Sequence, residues 1–264
     1  MSRVVVITGG SSGIGAALAR RLSRDGDAVV LAARRGAELT RIASLCGEHA
    51  LPVVTDVTAR AQVERLRELA LARFGAIDVW VNNAGRGIAK PVLDLTDDDL
   101  DAMMAVNVKS ALYGMQAVVP HFVERGRGHL VNVSSFLGRV PLVTFRSAYN
   151  AAKAALNALT ANLRVDLGAT HPGIHVSLVM PGVVSTDFAK NALGAGTPSV
   201  PPPGTRAQTA EEVADCIADL IAHPVAEVYT NPAQQALAQT YYQDVAAFEA
   251  RAAAPPGRPA SGAS

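Results

Sequence analysis

Two residues suited to proton transfer stand one helical turn apart. Tyr149 and Lys153 form a Tyr-x-x-x-Lys pattern, which places both side chains on one face of a helix. An isolated tyrosine has a pKa of about 10 and keeps its proton at neutral pH. A neighbouring ammonium group favours the phenolate and is expected to lower that pKa, so that the phenol can exchange a proton with a bound molecule. Ser135, at the end of a predicted strand, could hold an oxygen of that molecule.

This pattern is common by itself, and its meaning depends on the elements that position it. Apolar runs rich in β-branched residues alternate with amphipathic stretches, which is typical of strands buried on both faces and joined by helices. The alternation predicts a single-domain α/β fold, a doubly wound parallel sheet (Rossmann-like) with helices on both faces. The strands are predicted at Arg3–Thr8, Ala28–Ala33, Leu51–Val54, Ile77–Val81, His129–Val133, Ile174–Val179 and Glu227–Thr230. The helices are predicted at 16–24, 60–74, 97–122, 148–167 and 210–222, with Thr96 as an N-cap.

The composition narrows the class of protein. Hydrophobic residues make up 49% of the 264 residues, which is enough for a large core. The 24 basic and 23 acidic residues nearly balance, so we expect no nucleic-acid partner. Cys46 and Cys216 have no paired spacing and none of the six histidines has ligand spacing, so we expect reduced thiols and no metal site. Apolar runs are too short for a signal peptide or a membrane span, which predicts a soluble cytoplasmic protein with no membrane partner.

A glycine-rich loop follows the first predicted strand. Its spacing is Gly9-x-x-x-Gly13-x-Gly15, which differs from the G-x-G-x-x-G of the commoner dinucleotide fold. Glycines let the backbone turn tightly and approach a pyrophosphate, and the N-terminus of the following helix offers free N–H groups. The loop therefore predicts a dinucleotide cofactor.

The end of the second strand indicates which dinucleotide. An acidic residue near this point would bind the ribose 2′-hydroxyl of NAD, but the chain has Ala33 followed by Arg34 and Arg35. Guanidinium groups can stack on adenine and grip a 2′-phosphate. We therefore predict NADP, and NAD is the alternative if the two arginines are only a solvated pair.

Several motifs together carry a family resemblance. In order along the chain they are Thr8-Gly9-Gly10-Ser11-Ser12-Gly13-Ile14-Gly15, Asp56-Val57, Asn82-Asn83-Ala84-Gly85, Asn107-Val108, Ser134-Ser135, Tyr149-x-x-x-Lys153 and Pro181-Gly182. The chain resembles the short-chain dehydrogenase/reductases, in their subclass of roughly 250 residues. The resemblance covers about residues 3 to 187 and the helix near Ala210.

The resemblance implies a role for each matched position. Ser135 would hydrogen-bond the substrate oxygen, Tyr149 would give or take the proton, and Lys153 would bind the nicotinamide ribose and lower the pKa of Tyr149. Asn107 would hold, through its helix backbone, a water that links Lys153 to solvent. The implied catalytic residues are thus Asn107, Ser135, Tyr149 and Lys153. With the two arginines, the expected cofactor-binding residues are Gly9, Ser11, Ser12, Gly13, Ile14, Gly15, Arg34, Arg35, Asp56, Val57, Asn83, Ala84, Gly85, Tyr149, Lys153, Pro181, Gly182, Val183 and Thr186.

The chain departs from the family pattern at two places. Ser135 precedes Tyr149 by 14 residues, one more than the family leads us to expect. Because Gly138 keeps its place, we select Ser135 and keep Ser134 as the alternative. Ser12 stands where many NADP-using relatives carry a basic residue, so the NADP prediction depends on Arg34 and Arg35.

The function implied is an NADP(H)-dependent oxidoreductase that interconverts a carbonyl and a secondary alcohol by hydride transfer, with Tyr149 as proton donor or acceptor. The substrate is expected to be small and apolar. Arg86 and Arg146 could instead bind a carboxylate, so a carboxylate substrate is the alternative.

A catalytically silent dinucleotide sensor or scaffold is the competing class of protein, and the intact catalytic set argues against it. An epimerase or dehydratase is less favoured, because such relatives usually carry a longer substrate domain. The expected pocket walls are Phe136, Leu137, Phe145, Phe188 and Leu193.

The remaining expectations concern organisation. Residues 1–251 are expected to form one dinucleotide-binding and catalytic domain, with a mobile substrate loop at about 187–208 and a disordered tail at 252–264. The loop prediction depends on a stretch rich in glycine, proline and alanine, for which a plain surface insertion is the alternative. A homodimer or homotetramer is expected.

Overall fold

The computed structural model describes residues 2–194 and 206–253, and within them seven strands form one parallel sheet. The strands are β1 (Val4–Thr8), β2 (Ala28–Ala33), β3 (Ala50–Val54), β4 (Val79–Asn82), β5 (Gly128–Val133), β6 (Ile174–Met180) and β7 (Glu227–Tyr229). The α-helices are α1 (Gly13–Arg24), α2 (Gly36–Cys46), α3 (Arg60–Phe74), α4 (Asp97–Met104), α5 (Ser110–Arg125), α6 (Ser147–Gly168), α7 (Ala210–Ala222), α8 (Pro232–Gln243) and α9 (Val245–Ala253).

The strand order is β3-β2-β1-β4-β5-β6-β7, so the chain reverses its direction of travel across the sheet between β3 and β4. The carboxyl ends of β1 and β4 lie side by side at this reversal. In open parallel sheets, ligands bind outside the strand ends at such a point. The predicted Rossmann-like, doubly wound class is confirmed.

Alternate strand residues face two apolar layers. Val5 and Ile7 of β1 pack towards α1, α2 and α7, whereas Val4 and Val6 pack towards α3, α5 and α6. A strand covered on both faces needs apolar side chains at every position, which explains the unbroken apolar runs. Trp80 of β4 is fully buried in the second layer, as expected for a core residue.

The structure corrects several expected elements. The helices α2, α8 and α9 were not predicted, and the helix expected from Thr96 towards Phe122 is interrupted by a π-helical turn at Ala105–Lys109. The predicted loop at about 187–208 lies partly outside the described residues, since only 187–194 and 206–208 belong to them. The predicted tail lies outside them from residue 254 onward, and residues 252 and 253 belong to α9. Within the described ranges, no helix is both long and apolar enough to cross a membrane.

A buried chain of polar side chains fixes α6 to the sheet. The Trp80 indole donates to Asn82 at 2.8 Å, and Asn82 donates to Asn132 at 2.9 Å. Asn132 in turn donates to the Thr160 hydroxyl of α6 at 2.9 Å. Polar groups buried among apolar side chains are stabilising only with their partners in place, so this chain specifies the position of α6.

His129 lies in the core at the start of β5, and 4% of it is exposed. The Ser177 hydroxyl donates to the Val225 carbonyl at 2.6 Å, so the Nε2 of His129, 2.8 Å away, must donate to Ser177. The Nδ1 atom is then a bare acceptor, and it has no hydrogen-bond partner among residues 2–194 and 206–253. Burial lowers the pKa of His129 to about 4, with a smaller effect from His175.

This histidine makes the fold sensitive to acid. An unfolded histidine has a pKa of about 6.5, so the stabilisation is complete above that pH and is lost as the pH falls towards the folded pKa of about 4. We expect the free energy of unfolding to fall by about 2 kcal/mol between about pH 7 and about pH 5 from this group. Urea unfolding of wild type and His129→Gln at both pH values measures it. The control His49→Gln, at an exposed position, should lose as much unfolding free energy between the two pH values as wild type does. An equal loss in His129→Gln would show that His129 is not the source of the acid sensitivity.

Candidate active site

The glycine-rich loop leaves β1 with two glycines in the left-handed region. Gly9 has φ of 70° and Gly13 has φ of 55°, conformations that residues with a Cβ rarely adopt. A Cβ on Gly15 would lie 2.4 Å from the Gly9 carbonyl oxygen, which is closer than any side chain tolerates. The loop therefore folds back on the first turn of α1 only because these positions lack side chains.

The hydroxyl of Thr8 joins this loop to the end of β4. It accepts hydrogen bonds from the backbone N–H groups of Asn83 at 3.0 Å and Ala84 at 3.1 Å. The Asn83 side chain donates to the Thr8 carbonyl at 2.9 Å. The two predicted cofactor segments are thus held edge to edge at the reversal of the sheet.

Arg35 reaches the N-terminus of α1. Its Nη2 donates to the Ser12 hydroxyl at 2.8 Å and to the Ser11 hydroxyl at 3.3 Å. Ser12 is the N-cap of α1, whose first N–H groups lack partners inside the helix. A guanidinium group, two hydroxyls and a helix N-terminus are chemically suited to bind an anion.

Asp56 follows β3 at the same edge of the sheet. Its carboxylate accepts from the backbone N–H of Thr58 at 2.9 Å and from the Thr58 hydroxyl at 2.7 Å. These bonds, with the charge of Arg34, hold the pKa of Asp56 below its usual value. The neighbouring Val57 is buried.

The turn after β5 distinguishes the two candidate serines. The Ser134 hydroxyl donates to the Asn157 side chain at 2.5 Å, which fixes it to α6. The Ser135 hydroxyl accepts from the Leu137 N–H at 3.1 Å and interacts with the phenol of Tyr149. This geometry favours Ser135 over Ser134 as the group that faces a substrate.

Tyr149 and Lys153 lie one turn apart on α6, and both are almost fully buried. The Lys153 Nζ donates to the Val133 carbonyl at 2.9 Å and lies 5.7 Å from the centroid of the Tyr149 ring. Burial raises the pKa of Tyr149 to about 12, against the opposing effects of Ser135 and Arg146. Burial also lowers the pKa of Lys153 to about 8. The expected lowering of the tyrosine pKa is therefore wrong, because burial outweighs the neighbouring groups.

Asn107 lies in the π-helical turn and connects it to the segment after β4. Its Nδ2 donates to the carbonyls of Arg86 at 2.9 Å and Met103 at 3.1 Å, and its Oδ1 accepts from the Arg86 N–H at 3.2 Å. A Cβ on Gly85 would lie 2.9 Å from Asn107 Oδ1 and 3.6 Å from Lys153 Nζ. Gly85, Asn107 and Lys153 are therefore neighbours.

The segment after β6 covers the glycine-rich loop. The Pro181 carbonyl accepts from the Phe136 N–H at 2.9 Å, and the Val183 carbonyl accepts from the Gln208 N–H at 2.9 Å. The Thr186 methyl group lies 3.4 Å from the point that a Cβ on Gly13 would occupy. The predicted residues of this segment, including Gly182 between the two carbonyls, thus face the same edge of the sheet.

The continuation of this segment packs over Tyr149. The Phe188 ring centroid lies 5.5 Å from that of Tyr149, at an interplanar angle of 61°. Leu193 donates its N–H to the Gly87 carbonyl at 2.9 Å and accepts from the Ala89 N–H at 2.8 Å. The Arg86 Nε donates a hydrogen bond to the Asn191 carbonyl at 2.9 Å.

The expected pocket walls divide into two groups. Leu137, Phe188 and Leu193 belong to the apolar cluster that contains Tyr149. Phe136 packs in a different cluster against α8, and the Phe145 ring lies below the Arg146 guanidinium at 5.4 Å.

Sequence reasoning missed the residues that support the site. Asn157 and Thr160 continue the buried face of α6 from Lys153 at positions i+4 and i+7. Polar residues repeating at helical spacing in an alanine-rich helix were the available signal, since they predict a face in contact with other polar groups. The contact between Arg35 and Ser12 had no comparable signal.

Comparison with known proteins agrees with this geometry. The family model described as short chain dehydrogenase matches residues 3–194. An uncharacterized oxidoreductase of Staphylococcus epidermidis is 35% identical over 188 residues, which cover 71% of this chain and 80% of that protein. A short chain dehydrogenase/reductase from Burkholderia phymatum, solved with NAD, is 28% identical with a TM-score of 0.83 over 98% of both chains. A short chain dehydrogenase from Burkholderia cenocepacia, solved with NADP, is 30% identical with a TM-score of 0.80 over 96% of this chain and 98% of that one.

The chain belongs to the short-chain dehydrogenase family. It is an oxidoreductase of that family, acting on CH–OH groups. The resemblance inferred from the motifs is confirmed.

The glycine-rich loop should not tolerate a single methyl group. We expect Gly15→Ala to destabilise the fold by about 1–3 kcal/mol, because its Cβ would meet the Gly9 carbonyl. Thermal and urea unfolding measure the change. Gly168→Ala in α6 is the matched control, since a Cβ there meets nothing within 4 Å and alanine favours a helix. Equal stability of the two variants would contradict the tight loop geometry.

Proposed function

We propose that this enzyme is an NADP(H)-dependent reductase of small apolar carbonyl compounds, working reversibly on the matching secondary alcohols. The observation that carries the proposal is the convergence of Ser135, Tyr149 and Lys153 at the carboxyl end of β5. A hydroxyl, a phenol and an ammonium group within one buried site can orient a carbonyl oxygen and give it a proton.

In carbonyl reduction, Tyr149 acts as the acid. Its pKa of about 12 keeps the phenol protonated at neutral pH, which suits a proton donor. The Ser135 hydroxyl holds the carbonyl oxygen beside it. In the reverse direction the phenolate takes the hydroxyl proton of the alcohol, so the same two groups serve both directions.

Lys153 and Asn107 support this proton exchange. We propose that Lys153 binds the ribose next to the nicotinamide, and that Asn107 connects Lys153 to solvent through a water on its helix backbone. The proximity of Gly85 to both residues supports this arrangement.

The residues around the glycine-rich loop suit a nicotinamide dinucleotide. The side-chain-free surface of Gly9, Gly13 and Gly15 suits a pyrophosphate beside the α1 N-terminus. When bound, the nicotinamide supplies or accepts the hydride. Asp56 and Val57 are proposed to border the adenine, and the segments Asn83–Gly85 and 181–186 the rest of the cofactor.

The NADP preference is carried by Arg35. Its guanidinium already lies against the Ser11 and Ser12 hydroxyls, which are suitable partners for a 2′-phosphate. Arg34 lies close enough to Asp56 to lower the pKa of that carboxyl, and it is proposed to stack on the adenine.

The substrate class follows from the surroundings of Tyr149. Leu137, Phe188 and Leu193 pack in its cluster, so the group attached to the carbonyl is proposed to be apolar. The homologous dehydrogenase and reductase structures support the reaction type.

Removal of the phenolic hydroxyl tests the mechanism. We expect Tyr149→Phe to lower the turnover of a panel of small apolar ketones by a factor of about 10²–10⁴, because a positioned proton donor contributes that much. The dissociation constant for NADPH should stay nearly unchanged, since the ring remains. Turnover is followed by NADPH absorbance and binding by NADPH fluorescence.

The matched control is Tyr113→Phe, a half-buried tyrosine whose ring lies 4.4 Å from the Arg60 guanidinium. It should keep wild-type turnover. Full activity of Tyr149→Phe would refute the role of Tyr149, and a wild type that binds NADPH but reduces no ketone of the panel would refute the substrate class.

Removal of the Arg35 guanidinium tests the cofactor preference. A hydrogen bond to a charged group contributes about 1.5–3 kcal/mol, so Arg35→Ala should weaken NADPH binding about tenfold or more. NADH lacks the 2′-phosphate and should bind as before. Fluorescence titration with both cofactors measures the ratio, and Arg41→Ala, which breaks only an exposed pair with Glu38, is the control. Equal losses for the two cofactors would show that Arg35 does not select NADP.

A further inference from the structure

A guanidinium group is buried beside the proposed proton donor. Arg146 precedes Tyr149 by three positions at the start of α6, and 3% of it is exposed. Its Nη1 donates to the Ile88 carbonyl at 3.2 Å, and its guanidinium carbon lies 5.4 Å from the centroid of the Phe145 ring. Backbone and aromatic contacts therefore fix this positive charge inside the protein.

Gly87 makes room for the guanidinium. A Cβ on Gly87 would lie 2.8 Å from Arg146 Nη1 and 2.9 Å from Phe188 Cε1, so both side chains converge on this point. The Phe188 ring in turn packs on the Tyr149 ring. The three side chains therefore share one interior region, where charges are screened less than in water.

We infer that Arg146 is a positioning residue of the reaction, whose fixed positive charge stabilises the phenolate of Tyr149 and so eases the loss and return of the phenolic proton. This inference rests on the proposed function, since the charge matters for turnover only if Tyr149 exchanges a proton. The notion that Arg146 receives a substrate carboxylate is the competing assignment.

The charges of the region support the inference. Burial dominates the pKa of Tyr149, and the charge of Arg146 acts against it. Burial also lowers the pKa of Arg146, but a guanidinium group keeps its proton in proteins. Lys153 has a pKa of about 8, so its charge fades in weakly alkaline solution. Arg146 therefore keeps a positive charge near the phenol at a pH at which Lys153 loses its own.

The pH profile of alcohol oxidation tests the inference. The probe is 1-phenylethanol, with acetophenone for the reverse direction, because both are uncharged. Oxidation needs the phenolate, so with a Tyr149 pKa of about 12 its kcat/KM rises steadily with pH over the range in which the enzyme is assayed. A higher pKa of Tyr149 in Arg146→Met should lower kcat/KM about tenfold at each pH on this rise, which equals an upward shift of the profile by about one pH unit.

Two further variants separate charge from structure. Arg146→Lys should restore most of the wild-type profile, because it keeps a cation. Arg164→Met is the matched control, since Arg164 lies on the same helix and donates to the carbonyls of Val176 and Ala226 far from Tyr149. It should leave the profile in place. If Arg146→Met does not fold, Arg146→Gln serves instead, because it removes the charge and keeps an N–H donor.

A measurement without turnover gives an independent result. The ¹³Cζ resonance of Tyr149, identified by its loss in Tyr149→Phe, moves when the phenol ionises. In Arg146→Met, or in Arg146→Gln, the resonance should begin to move at a pH about one unit higher than in wild type. If wild type oxidises no 1-phenylethanol, the proposed substrate class fails, and this titration still decides the role of Arg146.

Two results would overturn the inference. The first is an unshifted pH profile together with an unshifted Tyr149 resonance in a folded charge-removing variant. The second is an unshifted profile for 1-phenylethanol together with at least a tenfold rise in KM for phenylglyoxylate, which carries a carboxylate. That second result would assign Arg146 to substrate recognition.

Discussion

The close approach of α6 to the turn after β5 is the constraint on which the site depends. A Cβ on Gly138 would lie 2.8 Å from the Lys153 carbonyl carbon, so only glycine lets the helix come this near. Asn157 secures the contact by donating to the Gly138 carbonyl at 3.0 Å while it accepts from Ser134. Because Ser135 follows the strand and Tyr149 lies on the helix, this one contact sets the distance between their hydroxyls.

Burial then sets the chemistry of the groups that this contact brings together. A phenol and an ammonium group removed from water both favour their neutral forms, as the opposite pKa shifts of Tyr149 and Lys153 reflect. Lys153 keeps one backbone acceptor, Val133, and the polar chain from Trp80 to Thr160 holds the helix against the sheet. The Val133 carbonyl thus offsets part of the cost of burying the ammonium group, and the polar chain keeps the helix that carries it in place.

Sequence patterns predicted what local physics determines. Apolar runs marked the strands, and the glycine spacing marked the loop at the end of β1, because each depends on residue type alone. Helix α2 was missed although Leu39, Ile42 and Ala43 form one buried face at helical spacing, whereas α9 has no buried residue and offers no apolar face to recognise. The π-helical turn at Ala105–Lys109 was not predicted for another reason. Its Asn107 binds Arg86, which lies 21 positions earlier, and local sequence patterns do not reveal such a contact. The raised pKa of Tyr149 likewise depends on tertiary burial, which residue spacing does not reveal.

The segment that carries Phe188 and Leu193 is attached to the residues after β4 mainly through main-chain groups. Leu193 pairs with Gly87 and Ala89 by N–H and carbonyl alone, and any residue other than proline can supply both. The Leu193 side chain is therefore free to change while this attachment persists, whereas the Phe188 ring packs directly on Tyr149. Substitutions at Leu193 can therefore change the apolar surroundings of Tyr149 while the main-chain bonds to Gly87 and Ala89 hold the segment in place.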